Sequence, residues 1–258
     1  MELLKVYTQV LLSKKLKHIG SFLTLFLLVM FMSCGHNSSN KPQEKAPTPP
    51  AKPKQEIVKK KTVTPTPKKE KLLVNDVIND KNVRRFFSAY GRKNPETKLL
   101  LKTRLGNIHI TLFKETPLHR ASFIYLIKNG YYNKTCFHRI VKDFIIQGGW
   151  SDTEIVQKYR NQLNNYRIPP EFRKGIIHKR GALSATRRWV DNPQKLSNPF
   201  EFFIMQTSVD CSHLNFEHTV FGQVTSGFEV IDKIADVTLD GHSEWPEVDV
   251  DIEFEILK

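Results

Sequence analysis

Cysteine is scarce in this chain: Cys34, Cys136 and Cys211 are the three in 258 residues. That count excludes a small disulfide scaffold, and the sequence leaves Cys136 and Cys211 free either to pair or to stay reduced. The nine histidines fall into no zinc-ligand spacing with cysteine and aspartate, so neither a metal nor another cofactor is expected. Cys136 precedes Phe137-His138, but a nucleophilic Cys/His pair is made by the fold and not by adjacency, so covalent catalysis is not expected either. Long apolar runs are also missing. The uncharged run over residues 19–32 has 14 residues, short for a membrane-spanning helix and the right length for a signal-peptide core. Acidic residues are in deficit, with 26 Asp plus Glu against 40 Lys plus Arg and a formal net charge of +14. That excess is not spread evenly. Residues 37–72 hold ten lysines and three glutamates, about half of it, and no aromatic residue. A basic stretch without aromatics offers nucleic acid no stacking platform, so no nucleic-acid partner is expected.

The N-terminal segment nevertheless has a clear pattern. Lys14, Lys15, Lys17 and His18 form a basic flank ahead of the apolar run, an order that favours export of the chain beyond it. The run ends at Phe31-Met32-Ser33-Cys34-Gly35. This resembles the lipobox of bacterial lipoproteins, in which the cysteine becomes the lipidated first residue after cleavage. Residues 1–33 are thus expected to be a lipoprotein signal peptide, with Cys34 carrying the lipid and the rest of the chain tethered outside the cytoplasm, on the periplasmic side of the cell envelope.

Residues 34–72 are expected to be a linker. Seven of the 14 prolines lie among them, mixed with lysine, threonine and alanine, with no apolar periodicity from which to build a core. Fully extended as polyproline II, at roughly 3 Å per residue, such a tether spans on the order of 100 Å. The alternatives for this stretch are a proline-rich ligand for an aromatic groove and a handle for anionic partners. Residues 73–97 read as a short helical extension. Val83, Phe86, Phe87 and Tyr90 fall on one helical face, Gly91 supplies a stop, and the helix is expected to pack on the next domain.

From residue 98 to residue 258 the pattern becomes regular. Two strands, 99–104 and 107–113, flank the turn Leu105-Gly106-Asn107. Thr116-Pro117 opens a helix that Gly130 closes, with Thr116 as N-cap, and residues 228–234 form a second helix. Further short strands are expected on both sides of a turn in residues 136–149, and at 176–180, 182–185, 202–206, 219–224 and 247–257. Many short strands with two helices point to a closed β-barrel with helical covers.

The stretch Phe137-His138-Arg139-Ile140-Val141, with Phe144 and Gln147-Gly148-Gly149, resembles the signature of the cyclophilin-type peptidyl-prolyl cis-trans isomerases. Gly181-Ala182-Leu183-Ser184-Ala185 with Glu201-Phe202-Phe203-Ile204 is similar to the family's second block, and His213-Leu214-Asn215 with His218-Thr219-Val220-Phe221-Gly222 to its third. The resemblance implies a mainly β fold, an eight-stranded antiparallel closed barrel capped by two α-helices, and prolyl isomerase (rotamase) activity by a monomer on proline-containing polypeptides. By the same resemblance Arg139 donates to the prolyl nitrogen. Gln147 orients Arg139 and binds substrate backbone; Phe144, Ile145, Phe203 and Leu214 wall the proline pocket; His138 and His218 flank it. Taken singly, the apolar four read as core residues, His218 as a satisfied histidine and Arg139 as a surface ion-pair partner. Their ordered occurrence together favours the site. The chemistry agrees, because rotation about a prolyl bond breaks no bond and needs only a donor for the nitrogen and a dry pocket for the ring.

Four positions depart from the family pattern. Glu201 stands where the family has glutamine, and is expected among the substrate-binding residues and as a partner that pins Arg139 and lowers turnover. Pro199-Phe200 replaces a small pair. Residues 186–193 form a longer, basic, Trp-bearing loop. His213 sits where some relatives have tryptophan. The client class expected is exported envelope proteins. The alternative is a chaperone or scaffold module that binds proline segments with little turnover.

Overall fold

The structure, a computed structural model, describes residues 78–258. The expected signal segment, the expected linker, Cys34 with its expected lipid, and residues 73–77 of the expected helical extension lie outside the described residues. Among the described residues no helix is long and apolar enough to cross a membrane.

The first helix among the described residues is α1, Val83–Lys93. The predicted stop at Gly91 is not made, and the helix runs through it to Lys93. Gly91 serves close packing instead. A Cβ there would lie 3.0 Å from Ala121 Cβ. The carbonyl oxygens of Gly91 and Asn94 at this helix end accept from the buried guanidinium of Arg120, at 3.0 and 2.7 Å. Val83 and Phe87 are fully buried, and Phe86, Phe87 and Tyr90 each pack edge-on against Tyr125. The apolar face read from the sequence thus docks on helix α2, Pro117–Lys128.

Thr116 precedes α2 but gives it no side-chain cap. The first-turn N–H groups of Leu118 and His119 instead donate to the buried carboxylate of Glu171, at 2.9 to 3.1 Å. An anion at a helix N-terminus is favoured by both the dipole and the unpaired N–H groups, and Glu171, 53 residues away, does more there than a hydroxyl would. Since α2 is covered on one side by α1 and on the other by the sheet, Leu118 to Ile127 are all buried.

The sheet has eight strands: β1 Lys98–Thr103, β2 Gly106–Leu112, β3 Cys136–Val141, β4 Ile145–Trp150, β5 Ala182–Arg187, β6 Ser197–Met205, β7 Val220–Ser226 and β8 Glu253–Ile256. They run antiparallel in the order β3-β4-β6-β5-β7-β2-β1-β8. The mainly β, eight-stranded antiparallel class is as expected, but closure is not. The edge strands β3 and β8 do not pair along their length. They approach at the single bridge Cys136–Asp251, where Phe137 N–H donates to Val250 O at 3.0 Å and Ile252 N–H to Thr135 O at 3.0 Å. The sheet is a curled half-barrel.

Two further expectations are corrected, and one helix was not anticipated. Residues 176–180 are not a strand, because the His178 N–H donates to the Asn215 side chain and Gly181 O takes the ladder bond from Val224 N–H. Of residues 247–257 only Glu253–Ile256 is strand. An additional helix α3, Glu154–Gln162, was not anticipated, although it buries Val156 and Tyr159. The helix expected near 228–234 is present as α4, Phe228–Ala235.

The two faces of the sheet have different fates. On β4 and β6, Ile146, Phe202 and Ile204 point into the main core, where Phe202 and Phe254 meet Phe123 of α2 edge-on at 5.6 and 5.2 Å. The alternate residues Ile145, Phe203 and Met205 belong to a second, smaller cluster with Leu214 and Val220. Period-two alternation along a strand makes that division.

Candidate active site

The second cluster lies beside a cleft of about 700 Å³ lined by Arg139, Phe144, Ile145, Gln147, Glu201, Phe203, Leu214 and His218. Strand register explains why these residues meet. Arg139 on β3 stands opposite Gln147 on β4, and Gln147 stands opposite Phe203 on β6. Directly opposed residues share a face, so the cation, the amide and the ring form one row across three strands. Ile145 and Glu201 join that face by alternation. Phe144 enters from the β3–β4 turn, in which Asp143 takes a left-handed φ of 61° and Phe144 N–H donates to Val141 O at 3.0 Å. Leu214 comes from a short 3-10 turn, Ser212–Leu214.

Aromatic rings stiffen the apolar wall. Phe203 stacks on His178 at 5.8 Å and meets His218 edge-on at 5.3 Å. Phe144 stacks on His213 at 6.3 Å. His218 Nδ1 lies 3.0 Å from Ala185 O, which assigns the proton to that nitrogen. Burial pushes the pKa of His138 and of His218 below the ordinary histidine value, and that of His178 down to about 4. All three rings are therefore neutral near pH 7. His138 does not line the cleft. It stands behind Gln147, with its Nε2 3.3 Å from the Gln147 amide nitrogen, and packs against Trp150 and Trp245.

Arg139 lines this cleft, and Arg160 stands outside it, bonded to the cleft's Glu201. Arg139 is 37 % exposed, and the Glu244 carboxylate grips it from the side, Nε to Oε2 at 2.5 Å and Nη2 to Oε1 at 3.3 Å. Arg160, on α3, is 14 % exposed. Its Nη2 donates to Glu201 Oε1 at 2.8 Å and its Nε to the Tyr131 hydroxyl at 2.9 Å, and the Tyr131 hydroxyl donates to Gly149 O at 2.9 Å. Burial, which outweighs the attraction of Arg160, pushes the Tyr131 phenol up to about 12, so it stays protonated. The remaining Glu201 oxygen accepts from Gln147 at 3.2 Å, and Asn198 Nδ2 donates to Oε1 at 3.1 Å.

The expected Glu201–Arg139 pair is therefore not made. Glu201 faces a cation that no local pattern would have placed there, and Arg139 has a different carboxylate. Two weak signals bear on this: the α3 pattern Val156, Tyr159, Leu163, which brings Arg160 inward, and the acidic Glu244 in the approach to β8. Cys136 and Cys211 are both free and buried, and burial pushes the Cys136 thiol up to about 12, which makes it a poor nucleophile. Among the described residues no cluster of histidine, cysteine and carboxylate side chains could hold a metal.

A half-barrel with a half-exposed arginine beside an apolar, aromatic pocket suits the binding of a peptide segment. Comparison with known proteins gives the class. Residues 98–254 match the family described as cyclophilin type peptidyl-prolyl cis-trans isomerase/CLD, and the chain belongs to that family. It is 33 % identical over 153 residues to a peptidyl-prolyl cis-trans isomerase of Acinetobacter baylyi, covering 58 % of this chain and 77 % of the relative. It is 32 % identical over 155 residues to peptidyl-prolyl cis-trans isomerase A of Dickeya dadantii, with the same coverage of 58 % and 77 %. The crystal structure of a cyclophilin type peptidyl-prolyl cis-trans isomerase from Cryptosporidium parvum is similar, with a TM-score of 0.53, 25 % identity, and coverage of 63 % of this chain and 98 % of that one. Prolyl cis-trans isomerisation is the activity these likenesses support.

Proposed function

We propose that the chain isomerises prolyl bonds in exported polypeptides of the cell envelope, that Arg139 is the donor to the prolyl nitrogen, and that a lipid on Cys34 holds the domain at a membrane. The observation that carries the mechanistic part is the row Arg139, Gln147, Phe203 across β3, β4 and β6. Amide resonance sets a rotation barrier of about 18–20 kcal/mol. At the top of that barrier the nitrogen has left conjugation and carries a lone pair. A donor placed for that state, and not for the planar amide, lowers the barrier selectively. Guanidinium suits the task because it stays cationic and presents its N–H groups in a rigid fork. Two of Arg139's five N–H groups go to Glu244, and Nη1 has no partner among the described residues.

Phe144, Ile145, Phe203 and Leu214 supply the apolar wall for the proline ring. Gln147 has its NH₂ committed to Glu201, which leaves its carbonyl oxygen to accept a substrate backbone N–H. His218, neutral, stands at the edge of the site, and His138, also neutral, backs Gln147 from behind; neither takes a proton. Envelope residence rests on the basic flank, the apolar run and Ser33-Cys34-Gly35. The test of the mechanism is a protease-coupled proline-peptide assay on the natural chain and on Arg139→Ala. Removal of one such donor is expected to cost on the order of 100-fold in turnover, and equal rates would leave only a binding module. The anchor is tested by labelling cells with a radioactive fatty acid, where incorporation that persists in Cys34→Ser would refute it.

A further inference from the structure

The grip on Arg139 is built from the loop that leads into β8. Glu244 is fixed twice. Its backbone carbonyl accepts from Ile140 N–H at 2.7 Å, next to Arg139 on the edge strand β3. The neighbouring Trp245 packs edge-on against Trp150 at 5.3 Å, lies 5.8 Å from His138, and donates its indole N–H to Asp249 Oδ1 at 3.0 Å. Across the loop neck Asp240 N–H donates to Trp245 O at 2.8 Å. The carboxylate therefore reaches Arg139 from a rigid base and does not dangle from a free loop.

We infer that Glu244 is a positioning residue for the isomerase reaction: its carboxylate holds the Arg139 guanidinium side-on, so that the end-on fork is left for the substrate. The inference rests on the reading of Arg139 as the donor. A guanidinium has five N–H groups, and the side-on edge is Nε–H with one Nη2–H. Glu244 takes that edge. The second Nη2–H and one Nη1–H remain as the end-on fork, and the other Nη1–H points back along the side chain.

Two opposing effects can be weighed. A carboxylate beside the cation withdraws part of its field, but this pair is 37 % and 51 % exposed, so solvent and salt screen the charge effect. Orientation is not screened. An arginine side chain free to rotate loses on the order of 2 kcal/mol of rotamer entropy when it is fixed, and a donor misplaced by an ångström forfeits much of its benefit. Holding Arg139 in place therefore outweighs weakening it. Neither of the other carboxylates near the cleft substitutes for Glu244, since Glu201 is committed to Arg160 and Glu217 to Arg187 and Lys195.

The experiment uses the full chain and three variants, Arg139→Ala, Glu244→Ala and Glu244→Gln, with kcat and KM measured separately on a proline tetrapeptide. Glu244→Ala is expected to lower kcat on the order of tenfold with KM within about twofold. Glu244→Gln keeps one acceptor oxygen, and is expected to recover part of the loss. Fold integrity is read from Trp245 emission, since the backbone anchor to Ile140 does not depend on the side chain. A second readout is specific to the contact: in protein labelled with ¹⁵N-arginine, the Arg139 Nε–H signal is expected to exchange slowly with solvent in the natural chain and fast in Glu244→Ala. If Arg139→Ala is as active as the natural chain, the donor reading fails. If Arg139→Ala is impaired while Glu244→Ala keeps full kcat, or gains it, Glu244 does not position the donor and the inference alone fails.

Discussion

Arg139 lines the cleft and Arg160 stands behind the cleft's Glu201; each is paired with a glutamate, yet they live in different surroundings. Arg160 is nearly buried, ringed by Tyr131, Glu201, the Gly149 carbonyl and the face of Phe200 at 5.3 Å. Burial works against its charge, but Tyr131 and Glu201 outweigh it, and its pKa is raised. Arg139 lies at the rim with one partner and an unoccupied edge. A buried cation with its donors in use is part of the frame, and one with donors to spare can act on a ligand. The same side chain is thus assigned structural or chemical work by how many of its N–H groups the fold has already taken.

Breaking the buried pair should have the largest effect on stability. Arg160→Ala leaves Glu201 and Tyr131 without their cation, and is expected to cost about 3 kcal/mol in urea unfolding, whereas Arg139→Ala should stay within about 0.5 kcal/mol of the natural chain. A similar loss for both would erase the distinction.

Acid should act through the aromatic wall. His178 is buried, stacked on Phe203, and its pKa falls from 6.5 to about 4. Between those values the unfolded chain binds more protons than the folded one, so stability is present above about pH 6.5 and lost as pH falls toward 4. At 1.36 kcal/mol per unit the limit is about 3 kcal/mol. Urea midpoints at pH 7 and pH 4.5 should therefore differ more for the natural chain than for His178→Phe, and an equal difference would show that His178 is not the group responsible.

Glu201→Gln should have a smaller effect than Arg160→Ala or the acid shift, about 1 kcal/mol, since an amide oxygen can still accept from Arg160 while the ionic part of the bond is lost. Turnover should stay within about twofold. A clear rise in turnover would revive a Glu201–Arg139 pairing that the structure does not contain.

Much of this was legible in the sequence. That Arg139 faces Gln147 follows from alternation plus one short turn, and the aromatic face of α1 from its 3.6-residue period, whereas Phe203 joins the row only through the long-range pairing of β4 with β6. What escaped were choices made between distant segments. Val156 and Tyr159 mark α3 only weakly, and nothing local aims Arg160 at Glu201, 41 residues away. Glu171 replaces Thr116 as the cap of α2 from across the fold. Glu244 reaches Arg139 over a separation of 105 residues, and charge complementarity alone could have matched Arg139 with either glutamate. Residues 247–257 alternate well enough for a strand, but only the last part finds a partner in β1.

The most direct test of this division of labour is the cis-trans exchange rate of a proline peptide, read by two-dimensional exchange NMR and normalised to folded protein, for the natural chain, Arg139→Ala and Arg160→Ala. If Arg139 is the donor and Arg160 part of the frame, the loss is on the order of 100-fold for Arg139→Ala and no more than about tenfold for Arg160→Ala. Equal losses in the two variants, or full activity in Arg139→Ala, would contradict that assignment.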